Sequence, residues 1–161
     1  MKYLSLLFLI IIYACSPKQV LKTDTSNDID LSGRWNKTDA EIVTNELFNN
    51  LIDSRVIQDY SKGQSLKPRI SVRKFDSNFK NGGENLAQYF IKYAKASELI
   101  EYTDPKLRIA SNFYISGSIE ATEYDNRGNP YIEYNIQLKL LDFNNVKSWE
   151  DNSSIKKYIK E

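Results

Sequence analysis

Phe113-Tyr114-Ile115-Ser116-Gly117-Ser118-Ile119-Glu120-Ala121-Thr122 and, nine residues later, Tyr131-Ile132-Glu133-Tyr134-Asn135-Ile136-Gln137-Leu138-Lys139-Leu140 decide the fold. In the second run Ile132, Tyr134, Ile136, Leu138 and Leu140 fall on one side of an extended chain, and Tyr131, Glu133, Asn135, Gln137 and Lys139 on the other. The first run alternates in the same way, with Phe113, Ile115, Ile119 and Ala121 opposed to Tyr114, Ser116, Ser118, Glu120 and Thr122. A period of two is the signature of strands that bury one face. Asp125 to Pro130, with Gly128, joins them as a hairpin. In that hairpin Glu120 and Glu133 are expected to face each other, as solvated charges in preference to an acid/base pair.

Working outward, Asp142-Phe143-Asn144-Asn145 is a further turn, and Lys147 to Ile159 reads as a last strand that carries a bulge. Upstream, Glu98 to Tyr102 reads as a short strand ended by Asp104-Pro105, and Glu84 to Ala96 as a helix with Leu86, Tyr89, Phe90, Tyr93 and Ala94 on one side. Arg69 to Phe75, with Ile70 and Val72 alternating against Arg69, Ser71 and Arg73, reads as a strand covered on one face. Ser54 to Pro68 and Asp76 to Gly83 are expected to be loops. The Gly82-Gly83 pair before a helix could cradle an anion, but no phosphate-loop pattern surrounds it, so a flexible turn is expected.

The first helix follows Leu31-Ser32-Gly33-Arg34-Trp35-Asn36. Asn36 with Asp39, or Thr38 with Glu41, can close a capping box. Val43, Leu47 and Leu51 make one apolar row, and Ile42, Phe48 and Ile52 widen it. Trp35, just outside the cap, is expected to anchor the start of this helix. The element order is then helix, strand, helix and four strands. That is an α/β fold, a two-layer sandwich of a mostly antiparallel sheet with amphipathic helices.

Residues 1–14 read as a leader: Lys2 is a minimal positive region, Leu4 to Ile12 is apolar but too short for a stable span, and Ala14 is the small residue before Cys15. Ile12-Tyr13-Ala14-Cys15 resembles a bacterial lipobox, which makes Cys15 the expected lipidation site and 1–14 a lipoprotein signal peptide. Several acyl chains at about 0.8 kcal/mol per buried CH2 would hold the chain on a membrane durably. Residues 15–30 read as a lipidated flexible tether of polar composition, and 31–161 as a single domain. Asp24, Ser26, Asp28 and Asp30 alternate like calcium ligands, but Ile29 and Trp35 stand where such a loop needs Gly and Glu, so no metal is expected. Cys15 is the only cysteine; its lipidation leaves the domain without a disulfide or a catalytic thiol.

With 22 basic and 21 acidic residues interspersed along the chain, no nucleic-acid partner is expected. Lys156-Lys157 is read as part of a solvated face. The chain has no histidine, so the usual general base and the commonest metal ligand are missing. No Ser, Lys or carboxylate constellation stands out, and neither an enzyme nor a cofactor is expected. The candidate contact residues are exposed aromatics and their neighbours: Arg34, Trp35, Tyr114 and Tyr131. An ordinary solvated sheet face is the competing reading for the two tyrosines, and helix anchoring for Trp35.

Asp30-Leu31-Ser32-Gly33-Arg34-Trp35-Asn36 followed by Thr38-Asp39 resembles the opening of the LpoB family of lipoprotein activators of penicillin-binding proteins. Tyr114-Ile115-Ser116-Gly117-Ser118-Ile119, Tyr134, Leu141-Asp142, Trp149 and Ile155-Lys156-Lys157 extend the resemblance over nearly all of the chain after the leader. The hairpin motif is shared more loosely with the amino-terminal domain of TolB and with the curli-secretion lipoprotein family. The resemblance implies an outer-membrane lipoprotein facing the periplasm that binds a bifunctional penicillin-binding protein and stimulates peptidoglycan synthesis, as a monomer and without chemistry of its own. Ser16 after the lipidated cysteine agrees with the outer membrane. The alternative is a non-enzymatic assembly or secretion adaptor of that membrane.

Overall fold

The computed structural model describes residues 34–64, 66–107, 110–126 and 129–159. The leader, Cys15 and the tether expected from the sequence lie outside the described residues. Helix α1 spans Lys37–Ile52. Its start is fixed by Asn36, whose side-chain oxygen accepts the Asp39 N–H at 3.0 Å while the Asp39 carboxylate accepts the Asn36 N–H at 2.9 Å. This capping box satisfies donors that the first turn leaves without intrahelical partners. Ala40, Val43, Leu47, Phe48 and Leu51 are buried. Ile42 does not widen that row, being 58% exposed. At 3.6 residues per turn it lies beyond Asp39, Glu46 and Asn50, the row that faces the sheet edge.

Arg55–Gln64 forms a second helix, α2, where a loop was expected. Val56, Ile57 and Tyr60 supply its apolar side; Ile57 is 2% exposed and Tyr60 meets the Phe113 ring edge-on at 5.5 Å. Full burial of an isoleucine gives roughly 1.5–3 kcal/mol, more than the cost of about 1 kcal/mol for Gly63 inside a helix. Docking, in short, outweighs a weak local propensity.

The strands are β1 (Arg69–Val72), β2 (Asp76–Ser77), β3 (Glu101–Tyr102), β4 (Phe113–Asn126), β5 (Asn129–Asp142) and β6 (Lys147–Tyr158), and helix α3 spans Gly82–Ala96 between β2 and β3. They form one sheet in the order β3-β1-β4-β5-β6, with β2 also paired to β4. The pairings among β1, β2, β3 and β4 are parallel and those of β4 with β5 and β5 with β6 antiparallel. The expected bulge is present as a register shift at Leu140/Leu141 against β6. Phe90 and Leu86 of α3 and the buried residues of α1 pack on the inner face of the sheet, where Ile115, Ile119, Ile136, Leu138 and Leu140 are each 1% exposed or less. The expected two-layer α/β sandwich is thus what the chain forms.

Three local expectations are corrected. Ser71 of β1 is buried instead of facing solvent, because the crossover from β3 to β4 covers it: its hydroxyl donates to the Thr103 carbonyl at 2.7 Å and accepts from the Ser111 hydroxyl. Gly82 and Gly83 are no flexible turn; they are the buried first residues of α3, and a Cβ on Gly83 would strike the Phe75 backbone carbonyl. Close approach of helix to strand is what they supply. Finally, Glu120 pairs with Asn135 and Glu133 with Thr122, so the two carboxylates are not opposite each other; Glu133 instead meets Lys156 at 3.4 Å.

Candidate protein-interaction surface

Both α1 and α3 lie on one side of the sheet, so the other side of β4, β5 and β6 has no helix over it among the described residues. This outer face is built from every second residue of the three strands. Tyr124, Tyr131 and Tyr158 line up across it at one end, since Tyr124 pairs with Tyr131 and Tyr131 with Tyr158. Tyr124 and Tyr131 stack at 5.1 Å, Tyr158 lies 5.8 Å from Tyr131, and the Lys156 ammonium sits 5.7 Å from the Tyr131 ring centroid. Tyr158 is 65% exposed and Tyr124 42%. The middle of the face is polar. Ser118, Glu120, Asn135, Gln137 and Asn152 line a shallow depression of about 410 Å³.

Tyr114 occupies the opposite end of the same face, paired with Leu141, with the Arg73 guanidinium 4.0 Å over its ring. Ten residues of β5 separate Leu141 from Tyr131, which at about 3.3 Å per residue is roughly 33 Å. Tyr114 and Tyr131 therefore cannot touch one small epitope.

Trp35 lies elsewhere again, on the helical side of the sheet. Its ring packs against Tyr134 at 5.3 Å and Phe79 at 6.3 Å, and its backbone N–H donates to the Tyr134 hydroxyl at 2.9 Å. Trp35 is thus held at the start of α1 by strand β5 and the loop before α3. Its indole N–H is buried without a hydrogen-bond partner. Burial pushes the Tyr134 phenol above the ordinary tyrosine value, and the Trp35 N–H that it accepts pulls it partway back. Arg34 is exposed beside it, and its carbonyl accepts from the Lys157 ammonium at 2.8 Å.

Lys157 is not part of a solvated basic face. Besides Arg34 it reaches the Asp39 carboxylate at 2.7 Å, with side-chain exposures of 13% and 12%. Together with Glu46 accepting from Ser153 at 2.9 Å and Asn50 donating to Asp151 at 2.7 Å, it forms a polar seam that fastens α1 along β6. Asp39, Glu46 and Asn50 recur at spacings of seven and four on α1, and Lys157, Ser153 and Asp151 alternate on β6, so the seam follows from helical and strand periods together.

Of the four candidate contact residues, then, the structure places Tyr114 and Tyr131 at the two ends of the open face and Arg34 with Trp35 on the other layer. It adds Tyr124 and Tyr158, which the pairing of β4, β5 and β6 brings level with Tyr131. Among the described residues no group of three or more His, Cys, Asp or Glu side chains could hold a metal ion, and no helix is long and apolar enough to cross a membrane.

The chain is an α/β sandwich with one open sheet face, and the comparisons with known proteins go little further. It matches no protein-family model and no curated protein sequence. Partial likeness to solved structures includes the PelC dodecamer from Paraburkholderia phytofirmans, at 12% identity over 57% of this chain and 74% of that one, with a TM-score of 0.42. Lipoprotein GNA1162 from Neisseria meningitidis matches at 13% identity over 56% of this chain and 83% of that chain, with a TM-score of 0.42. The LpoB C-terminal domain from Salmonella enterica matches at 7% identity over 62% and 91%, with a TM-score of 0.37. At TM-scores below 0.5 these likenesses assign neither a family nor a role.

Proposed function

We propose that this chain is a lipid-anchored envelope protein whose folded domain binds and activates a peptidoglycan synthase of the bifunctional penicillin-binding class. The anchor is Cys15 in an outer membrane, with the domain in the periplasm. The observation that supports a binding role is the open outer face of β4, β5 and β6, where Tyr124, Tyr131 and Tyr158 stand together beside Lys156. Tyrosines presenting both an apolar ring and a hydroxyl, set among polar neighbours, suit protein recognition. The choice of partner rests on the sequence resemblance of the Arg34-Trp35-Asn36 opening and the Tyr114 to Ile119 strand.

Activation on this reading is a coupling between sites: the domain prefers the active state of the synthase and shifts its population by that preference. The test is the binding of the detergent-extracted protein to a purified bifunctional penicillin-binding protein from the same cells, with Tyr131→Ala and Tyr124→Ala alongside. Weaker binding of both variants, each still folded by circular dichroism, is the expected result. Unchanged binding would remove the tyrosine row from the interface. Binding to a secretion or assembly complex, with no affinity for the synthase, would favour the adaptor role.

A further inference from the structure

The end of the open face at Tyr114 differs from the rest of it in charge. Arg73 continues β1 beside β4, its N–H donating to the Ile115 carbonyl at 2.8 Å, and its guanidinium lies 4.0 Å over the Tyr114 ring. A guanidinium held over a ring keeps its donor edge open to a second partner. Ser116, one step on from Ile115, pairs with Lys139, so Arg73 and Lys139 flank the short Ser116 side chain from the two neighbouring strands, their backbones about 10 Å apart. Among the described residues neither cation forms an ion pair. Glu150, across from Lys139 on β6, is drawn to Lys147 at 2.8 Å instead. Asp76, level with Ser118, bounds the cationic stretch on the far side.

Phe113 pairs with Asp142, which puts the turn between β5 and β6 at this same end. In that turn the Asp142 carboxylate accepts the N–H groups of Asn144 and Val146 at 2.9 and 2.8 Å, and Asn145 takes a left-handed φ of 64°. The turn is closed on itself, and it holds Phe143 at 69% and Val146 at 60% exposure. Large apolar side chains on an ordered turn lose little conformational freedom when a partner covers them.

We infer that this end of the open face docks a segment of a partner protein that carries a carboxylate beside an apolar side chain. Arg73 and Lys139 take the carboxylate above Ser116, and Tyr114, Phe143 and Val146 take its apolar neighbour. Two cations without a carboxylate, facing one gap, set the sign of the ligand, and the guanidinium fork matches the two oxygens of a carboxylate. The adjoining apolar side chains call for a neighbour that a free phosphate lacks. The point where the chain enters the domain favours a protein over a lipid surface. Arg34 meets Lys157 near the other end of β6, ten residues or about 33 Å from Lys147, so an anchor that precedes Arg34 attaches at the end remote from Tyr114. The inference rests on the reading of the open face as a protein-binding surface and names the chemistry of one contact on it.

The test is selection of a random heptapeptide library, displayed on phage, against the detergent-extracted protein, followed by the affinity of the enriched peptides for Arg73→Gln, Lys139→Gln and Phe143→Ser. Enriched peptides are expected to hold Asp or Glu next to, or one residue from, Leu, Ile or Phe, and each substitution is expected to weaken their binding by about fivefold or more. Arg73→Lys keeps the charge but loses the fork, and is expected to bind between the unaltered protein and Arg73→Gln. Thermal unfolding of every variant accompanies the measurement, and Phe143→Ser, in an exposed turn, keeps the test decisive if loss of the Arg73 contact with Tyr114 disturbs the fold. Absence of enrichment, enriched peptides without a carboxylate, or affinities unchanged in Arg73→Gln and Lys139→Gln would overturn the inference. The synthase takes no part in the selection, so a chain that selects such peptides and does not bind the synthase keeps this site and loses the proposed partner.

Discussion

The hydroxyl of Tyr134, in the middle of β5, accepts the backbone N–H of Trp35, 99 residues earlier in the chain, at 2.9 Å. This bond, with the ring packing around it, ties the sheet to the residue before the N-cap of the first helix. The phenol is in turn enclosed by the Trp35 and Phe79 rings, so Tyr134→Phe removes the acceptor while leaving the packing. A loss of about 1 kcal/mol is expected, or somewhat more if the Trp35 N–H finds no water. Urea denaturation followed by tryptophan fluorescence measures it.

The same tyrosine predicts a pH dependence. Its folded value is raised above the ordinary tyrosine value, burial being the largest cause. Its contribution is fully present below the unfolded value of about 10 and is lost as pH rises through the folded value. Stability should therefore fall on raising the pH above about 10, and fall less steeply in Tyr134→Phe. Identical alkaline slopes in the two proteins would show that Tyr134 does not contribute to the change.

Two ion pairs of α1 should behave differently. Lys157 and Asp39 are 13% and 12% exposed, whereas Lys92 and Glu41 are 62% and 43% exposed at a similar separation. Lys157→Ala leaves a largely desolvated carboxylate and is expected to cost about 1–3 kcal/mol. Lys92→Ala should cost less than Lys157→Ala, and its effect should be erased by salt. Equal losses in a denaturation series at low and high salt would contradict the difference in burial.

Gly83 and Gly63 make a second contrast. A Cβ at Gly83 would meet the Phe75 carbonyl oxygen, which belongs to backbone, while nothing lies within 4 Å of a Cβ at Gly63. Gly83→Ala is expected to destabilise by about 2 kcal/mol or more, and Gly63→Ala to stabilise by about 0.5–1 kcal/mol through helix propensity. Thermal unfolding of both reads the two signs directly.

Asn78 holds the end of the ladder between β2 and β4. Its side-chain amide donates to the Ala121 carbonyl at 3.0 Å and its oxygen accepts the Ala121 N–H at 2.9 Å, continuing the β2 pairing of β4 by one more step with a side chain in place of backbone. Asn78→Ala should speed hydrogen exchange at Ala121 and leave exchange at Ile119 unchanged. Loss of protection along all of β4 would mean that Asn78 holds more than the end of the ladder.

The parts of this fold that were legible from sequence are those whose period is long and unbroken. Ile132 to Leu140 alternate for nine residues, and Val43, Leu47 and Leu51 repeat by four, so β5 and α1 could be read without any partner in view. Helix α2 could not. Its three apolar residues gain their stability from docking Ile57 and Tyr60 against residues far along the chain, and the polar remainder with Gly63 has the composition of a loop. The burial of Ser71 and Lys157 is not legible for a related reason, since a serine and a lysine take their burial from what covers them, here the crossover at Thr103 and Ser111 and the carboxylate of Asp39. The candidate site was legible only in part. Tyr131 was singled out by exposure alone, whereas the row it forms with Tyr124 and Tyr158 depends on the register of three strands, and the supposed pairing of Glu120 with Glu133 was two residues out.

The most direct measurement of the proposed role is the rate of glycan polymerisation by a purified bifunctional penicillin-binding protein, with increasing amounts of this protein in the same detergent. Activation predicts a rate that rises and saturates, with the half-maximal concentration shifted upward by Tyr131→Ala. A rate that stays flat to saturation of any measured binding would contradict activation and leave an adaptor that binds without changing the reaction.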